Sequence, residues 1–488
     1  MTIPATIPAE NFFLDRASPA PLQVQLRRQI IAGVLQGRFR AGERLPSSRR
    51  LARHLGVARV TVTQAFAELV ATEYLTSKGR SGHFIADEIT PLPDAPAAPQ
   101  GAAFDWSPRL DLRFTRLQRR DRVQDWRRFR FPFVYGQADP ELVDHNAWRD
   151  CAVRALGRRE FAALTGDLYD HDDPELLDYL ARHILPRRGI RAEPDQIVLT
   201  LGAQNALWLV AEILLARGGR AAIEDPCYPG LREILSHTRA EILPLSVDAQ
   251  GLPVTAIPPG TTAVFTTASH QCPTGTTMPL PRRHALLARA LDQGFAIVED
   301  DYEFEMSFAG APSPALKGMD QAEAVIYIGS FSKSVFPGLR LGYIVADPGF
   351  IHEARALRGL TLRHPPGMLQ RTLFHFLSLG HYDAQLNRMR RAYAERRAVM
   401  LRTIGDTGLS LASNRDTGGS SLWLQAPPGT DMTETGTALR DQSVLIEPGR
   451  PFFATPEDGR SHYRLAWSSI SADLIEEGIR RIAGAVGK

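Results

Sequence analysis

The chain has 488 residues, more than one hydrophobic core usually serves, so two or more domains are expected. Its composition is globular, 44% hydrophobic and 23% charged, and no run of about 18 apolar residues is present, which argues against a membrane-spanning helix. The net charge of +3 divides unevenly: residues 19–90 hold eleven Lys/Arg and five Asp/Glu, so a basic module is joined to a large near-neutral one and an anionic partner is expected for the first.

The first residues, MTIPATIPAENFFLD, lack the basic region and apolar stretch of a signal peptide. Cys151, Cys227 and Cys272 are too few and too scattered for a disulfide framework or a zinc site, and a reducing cytoplasm fits best. In 21–39, PLQVQLRRQIIAGVLQGRF, the residues Leu22, Leu26, Ile30 and Val34 have helical spacing, and Gly37 ends the pattern. GERLPSSRRLARHLGV (42–57) supplies a cap at Ser47, a face at Leu51 and Leu55 and a stop at Gly56. A third helix carries Val62, Phe66 and Leu69 on one side, and SKGRSGHFIAD (77–87) follows with the glycines and basic residues of a β-hairpin wing.

The second helix of a helix-turn-helix lies in the major groove with its N-terminal residues at base edges, here Arg59, Thr61 and Thr63. Ser47, Arg49, Arg50, Lys78 and Arg80 are the candidates for phosphate or minor-groove contacts. Any one arginine alone would suit a solvated basic surface; the ordered set favours DNA. The stretch GERLPSSRRLARHLGVARVTVTQAFAEL resembles the GntR-type winged helix, over about residues 19–88.

Residues 91–104, PLPDAPAAPQGAAF, read as an extended linker. The nine arginines of 109–130, interleaved with Trp126 and Phe129 and followed by Phe131, suit either an added DNA contact or, preferably, a surface segment docked on the large domain. From about residue 131, strand-like runs at 196–200, 221–225, 263–267, 295–300, 324–329 and 342–346 alternate with helical ones, an α/β pattern with a mainly parallel sheet. Ligands bind beyond the C-terminal strand ends of such sheets.

Five motifs lie at those ends. LGAQNAL (201–207) opens a helix whose free N–H groups can hold a phosphate. EDPCYPG places Tyr228 where it could stack on a flat ring, and SHQCPTG is a polar turn. EDDY (299–302) crowds three acids, which is costly unless a cation is met; a metal is the rival, without a His/Cys pattern to support it. SFSKSVFPGLRLGY adds two hydroxyls, Lys333 and Arg340. Pyridoxal 5′-phosphate would use all of these: a lysine for a Schiff base, an acid at its ring nitrogen, an aromatic face and phosphate donors.

Residues 131–485 resemble a fold-type-I aminotransferase, and its fusion to a GntR-type winged helix resembles the MocR/GabR regulators over nearly the whole chain. The resemblance implies domains at 19–88 (winged helix), 89–125 (linker) and 126–488 (aminotransferase-like). It implies Lys333 as the Schiff-base lysine, and Ser330, Ser332 and Arg340 with the backbone of Gly202, Ala203 and Gln204 as phosphate donors. Asp300 falls at the ring nitrogen, Tyr302 beside the ring oxygen, Tyr228 on the stacking face and Arg464 on an effector's acid group. Where aminotransferases carry Asn before PTG this chain has Cys272, so His270 or Gln271 is expected to take over its bond. The segment YDHDDPELLDYL (169–180) lacks the family's glycine, which leaves Tyr169 a possible cofactor contact only.

The function so implied is a cytoplasmic, PLP-dependent transcriptional regulator. It would bind operator DNA as a head-to-tail homodimer and sense a small amino compound through Schiff-base exchange at Lys333. The motifs are equally compatible with GABA, taurine, an ectoine breakdown product or the cofactor itself as the sensed molecule. An active aminotransferase with an accessory N-terminal domain is the alternative, although an enzyme has no need of residues 19–88.

Overall fold

The computed structural model describes residues 6–87, 105–110, 123, 125–306, 313–413 and 419–486, and the chain divides into two compact units, Met1–Phe114 and Thr115–Lys488. In the first unit α1 (Leu22–Leu35), α2 (Ser48–Leu55) and α3 (Arg59–Ala71) precede the antiparallel strands β1 (Leu75–Ser77) and β2 (His83–Ile85). The Ser47 hydroxyl accepts from the Arg50 N–H at 3.2 Å, capping α2. Gly56 ends α2 at φ +64, a left-handed conformation that costs a side-chain-bearing residue about 1–2 kcal/mol. Leu26, Ile30, Val34, Leu51, Val62, Phe66 and Leu69 are buried together, so the helical spacing of the apolar residues is the core stripe. The wing turns between Lys78 and Gly82, whose N–H and C=O join at 3.0 Å.

The linker 91–104 and residues 111–122 of the arginine-rich stretch lie outside the described residues. The end of that stretch belongs to the large unit. Phe129 and Phe131 are buried, and the Arg130 N–H donates to Ser443 Oγ at 2.8 Å. The guanidinium groups of Arg127, Arg128 and Arg130 lie over the neighbouring rings of Trp126, Phe129 and Phe131.

In the large unit β3 (Phe131–Pro132) is followed by β4 (Ile197–Thr200), β5 (Arg220–Asp225), β6 (Glu241–Ser246), β7 (Ala263–Thr266), β8 (Ala296–Asp301), β9 (Val325–Ser330) and β10 (Gly342–Val345). Seven of these form one sheet in the order β4-β10-β9-β8-β7-β5-β6, in which only β10 runs antiparallel to its neighbours. The strands are apolar on both sides because both faces are covered. Val198, Ile223, Phe265, Val298, Ile326 and Ile344 enter one core, while Leu199, Tyr327 and Tyr343 enter a second and Ala222, Val264 and Ile297 a third. The strand-like runs do not include β6: it is an edge strand, half-exposed and carrying Pro244, which an edge tolerates.

A smaller sheet contains β11 (Ser410–Leu411), β12 (Ser421–Gln425), β14 (Glu447–Pro448) and β15 (His462–Ala466), with β13 (Val444–Leu445) paired in parallel to β3. Phe131 and Phe133 bury against the helix Ala472–Val486, where a side chain at Gly478 would sit 2.6 Å from the Phe133 ring. Among the described residues, no helix is long and apolar enough to cross a membrane.

Candidate functional site

Beyond the C-terminal end of β4 the chain turns at Gly202 (φ +80) into the helix Ala203–Leu215. The Arg340 guanidinium covers this turn, donating to the Leu201 carbonyl at 3.2 Å; a Cβ on Gly202 would stand 3.2 Å from it. Gly342 ties the turn to β9, since it pairs with Thr200 on one side and Ser330 on the other, and a Cβ there would meet Gly329 O at 2.7 Å. Ser330 and Ser332 are buried, and the Ser332 hydroxyl has no hydrogen-bond partner among the described residues. Ala203 is half-buried and Gln204 exposed at the helix start. Arg340 thus lies at one helix N-terminus, with Ser330 linked to it through Gly342 and the Ser332 N–H bonded to Ser330 Oγ, a setting suited to an anion.

The three acids of EDDY separate by partner. Glu299 accepts from the Leu316 and Lys317 N–H groups and faces Arg283 at 3.7 Å, while Asp301 pairs with Arg188 at 2.7 Å and accepts from the Tyr327 hydroxyl at 2.9 Å. Asp300 has a buried carboxylate oxygen without a hydrogen-bond partner and, unlike the other two, no ion pair among the described residues. Burial first, then the charges of Asp301 and Glu224, raise its pKa to about 7, with Lys333 opposing. It lines a small cavity with Tyr228, Glu224, Thr266 and Thr267. Tyr228 is half-buried over Gly230, where a Cβ would come within 2.6 Å of its ring. The Tyr302 hydroxyl donates to the His270 carbonyl at 2.8 Å.

Gln271 does not reach the pocket with a free donor. Its amide NH₂ is committed to Glu224, Pro226 O and Cys272 O, and its oxygen accepts from Thr274, so it holds the turn instead. His270 is buried with Nδ1 unpartnered among the described residues, and burial lowers its pKa. Tyr169 is 69% exposed at φ +57.

Lys333 is half-buried, and its ammonium lies 4.5 Å from the centroid of the Tyr135 ring. Burial lowers its pKa to about 8, against the raising influence of Glu303. Gly136, at φ +78, lets it approach: a Cβ there would be 2.2 Å from Nζ. The Tyr135 hydroxyl donates to the buried carboxylate of Glu303 at 3.0 Å. On the same ring, 4.2 Å from its centroid, sits the guanidinium of Arg464, with Phe452 at 4.7 Å. Arg464 is paired through Nε and Nη2 with Glu447, at 3.0 and 3.2 Å. Tyr135, Gly136, Glu303 and Glu447 are residues that the sequence motifs do not single out. An aromatic–glycine pair in FVYGQADP and an acid in EPG were the available signals.

In the small unit Arg49, Arg50, Arg59, Thr63 and Lys78 are exposed and Thr61 half-exposed. Arg59 Nε donates to Ser48 Oγ at 3.3 Å, and the Thr63 hydroxyl donates back to the Arg59 carbonyl at 2.9 Å. The Lys78 ammonium lies over Phe84 at 5.1 Å. Arg80 sits in the turn Gly79–Ser81 at the wing tip.

Residues 22–85 match the family of bacterial regulatory proteins, gntR family, and residues 150–482 match aminotransferase class I and II. The chain is 54% identical to the HTH-type transcriptional regulator TauR of Rhodobacter capsulatus over 98% of its length and 99% of the relative's. It is 31% identical to the probable rhizopine catabolism regulatory protein MocR of Rhizobium meliloti, over 97% and 95%. Among solved structures, the α-aminoadipate aminotransferase LysN of Thermus thermophilus, complexed with N-(5′-phosphopyridoxyl)-L-leucine, superposes with a TM-score of 0.69 at 26% identity, covering 78% of this chain and 98% of that one. Kynurenine aminotransferase of Pyrococcus horikoshii, at 24% identity and a TM-score of 0.68 over 77% and 93%, shares the fold. With a winged helix-turn-helix followed by a fold-type-I aminotransferase domain, this chain belongs to the GntR-family transcriptional regulators of the MocR type.

Proposed function

We propose that this regulator holds pyridoxal 5′-phosphate in its large unit and senses a small amino compound through Lys333, with operator binding by the winged helix as the output. The observation that carries the reading is one convergence. Lys333, the unpaired carboxylate of Asp300 and the Arg340–Gly202 cradle all lie at the strand ends of one sheet. These residues fit the cofactor: Arg340, Ser330, Ser332 and the N–H groups at 202–204 for its phosphate, Asp300 for its ring nitrogen, Tyr228 for its face and Tyr302 near its ring oxygen.

When bound, pyridoxal 5′-phosphate supplies an aldehyde that condenses reversibly with primary amines. The protein's part is to keep Lys333 reactive and replaceable. Burial brings Nζ to a pKa of about 8, so a usable fraction is neutral near physiological pH. Asp300, with a pKa of about 7, becomes a stable carboxylate once a cation pairs with it directly. An effector amine that takes the place of Lys333 frees the lysine head to move against Tyr135 and Glu303. The DNA response follows only if the effector binds two states of the regulator unequally.

Residues 19–88 serve as the DNA-binding module, 89–125 as the connection and 126–488 as the sensing domain. We also propose a homodimer. Val153, Leu156, Phe161 and Met368 are exposed on or just beside helices that pack together, since His145–Ala155 packs on Gly367–Ser378 and on Arg158–Leu164, and a Cβ at Gly367 would touch Leu164. The free, buried state of Cys151, Cys227 and Cys272 suits a reducing compartment. The deciding experiment is borohydride reduction of the loaded protein followed by peptide mass spectrometry. The adduct is expected on Lys333 and absent from Lys333→Ala; an undiminished adduct in that variant refutes the assignment.

A further inference from the structure

We propose that Glu447 is an internal stand-in for the acid group of the effector. Its carboxylate occupies the place on Arg464 that an acid-bearing amine must take, and it thereby selects which amines the regulator answers. The inference rests on the amine-sensing role proposed for Lys333.

The Glu447 carboxylate is surrounded as a bound ligand acid would be. It accepts from Arg464 Nε at 3.0 Å and Nη2 at 3.2 Å, and from the main-chain N–H of Tyr135 at 3.0 Å. These donors converge beside Lys333: the Tyr135 ring carries the lysine ammonium at 4.5 Å and the guanidinium at 4.2 Å. The two partners differ in freedom. Arg464 is 6% exposed, comes from β15 inside the small sheet and lies between the Tyr135 and Phe452 rings. Glu447 keeps 27% of its side chain exposed and stands on β14, the edge strand of that sheet. The acid can rotate into water; the guanidinium cannot follow it.

A buried guanidinium left without an anion is strongly unfavourable, so Glu447 stays until another anion arrives. Apart from the two rings, the Arg464 head group meets the Cys272 thiol through Nη1 at 3.9 Å, too weak a contact to replace a carboxylate. An amine without an acid group therefore reaches Lys333 and leaves Glu447 in place. An amine with a carboxylate or other oxyanion at its far end displaces Glu447 from Arg464 and from the Tyr135 N–H and takes over both. The intramolecular acid raises the concentration at which such an effector acts, because only the fraction of molecules with Glu447 swung out is competent.

The test uses the cofactor-loaded full chain as wild type, Glu447→Gln and Glu447→Ala, with β-alanine, n-propylamine and propionate as probes. Amine binding is followed by near-visible absorbance, and propionate binding by calorimetry. Both variants are expected to respond to β-alanine at about tenfold lower concentration, with n-propylamine within about twofold of wild type. Propionate is expected to bind both variants more tightly than wild type. A β-alanine response that is unchanged or weaker in both variants overturns the proposal; weakening would make Glu447 a residue that merely orients Arg464. If wild type gives no absorbance change with any amine, the Lys333 reading fails, and propionate alone decides the role of Glu447: tighter binding in the variants supports it and unchanged binding refutes it.

Discussion

Replacing Glu303 by glutamine removes the charge that does most to keep Lys333 protonated, while leaving an acceptor for the Tyr135 hydroxyl. Burial is the first cause of the pKa of about 8 at Lys333, and Glu303 leads the charges that oppose it. The carboxylate meets Tyr135 at the hydroxyl, 3.0 Å away, and the ammonium lies over the ring at 4.5 Å. Taking the two charges as about 7 Å apart in an effective dielectric of about 20 gives about 2.4 kcal/mol. That corresponds to about 1.7 pH units, and neighbouring charges and water reduce it to about one. In cofactor-free protein, the rate at which Lys333 is labelled by limiting trinitrobenzenesulfonate, read by peptide mass spectrometry, follows its neutral fraction. The wild-type midpoint is expected near pH 8 and the Glu303→Gln midpoint about one unit lower. The same depressed pKa fixes the sign of the stability effect. Between about 8 and the ordinary 10.5 the unfolded chain binds the extra proton, so the Lys333 contribution makes the fold more stable as pH rises through that window. A midpoint that stays put or moves up in Glu303→Gln would refute the electrostatic account of this pocket.

Arg59→Ala is expected to weaken specific operator binding by about 1–3 kcal/mol in a gel-shift titration without altering the melting of the small unit, because its side chain is exposed. Arg358→Met strands the fully buried Asp172 carboxylate, and urea unfolding should show a loss of about 3–5 kcal/mol at neutral pH. Burial already raises the Asp172 pKa, so the loss should shrink as the pH falls and the carboxyl becomes neutral. Val153→Glu, at a position 64% exposed on the apolar face, should move the protein toward monomer in sedimentation velocity while leaving its unfolding midpoint near wild type.

The strands were legible where a run was apolar enough to be buried on both faces, as in IVLT, AVFT and VIYIG, and the turn glycines marked their ends. What the sequence could not show is which polar groups already have partners. EDDY presents three equal acids; Asp300 is distinguished only because Arg188, Arg283 and the Leu316 N–H, all distant in the chain, take the other two. Gln271 stands next to the right position but spends its amide on Glu224 and the turn. The Arg464–Glu447 pair arises from antiparallel pairing of β14 with β15, where the two residues are directly opposite. Tyr135 and Gly136 carry no periodic signal because their segment is irregular, and its closeness to Lys333 comes from β3 pairing with β13.

The anchoring of that segment limits how an effector signal can leave the pocket. Phe131 and Phe133 are fully buried, and their N–H groups donate to Ser443 O and Leu445 O. Ser469 Oγ donates to the carbonyls of Pro132 and Val134 at 2.7 and 3.0 Å. On the far side Asp139 is held by the Ser468 carbonyl through its N–H and by Arg396 through its carboxylate. Tyr135–Ala138 is therefore a short stretch between two fixed points, tied by its main chain to the pocket acids, among the described residues, through the Tyr135 N–H to Glu447. Packed cores do not deform continuously. A ligand that displaces Glu447 would thus act by switching this stretch and the edge strand β14 between discrete arrangements, not by sliding β3. The energy available for regulation is then the difference in how the effector's acid and Glu447 satisfy the same three N–H groups, which bounds the response by differential binding at Arg464 and Tyr135.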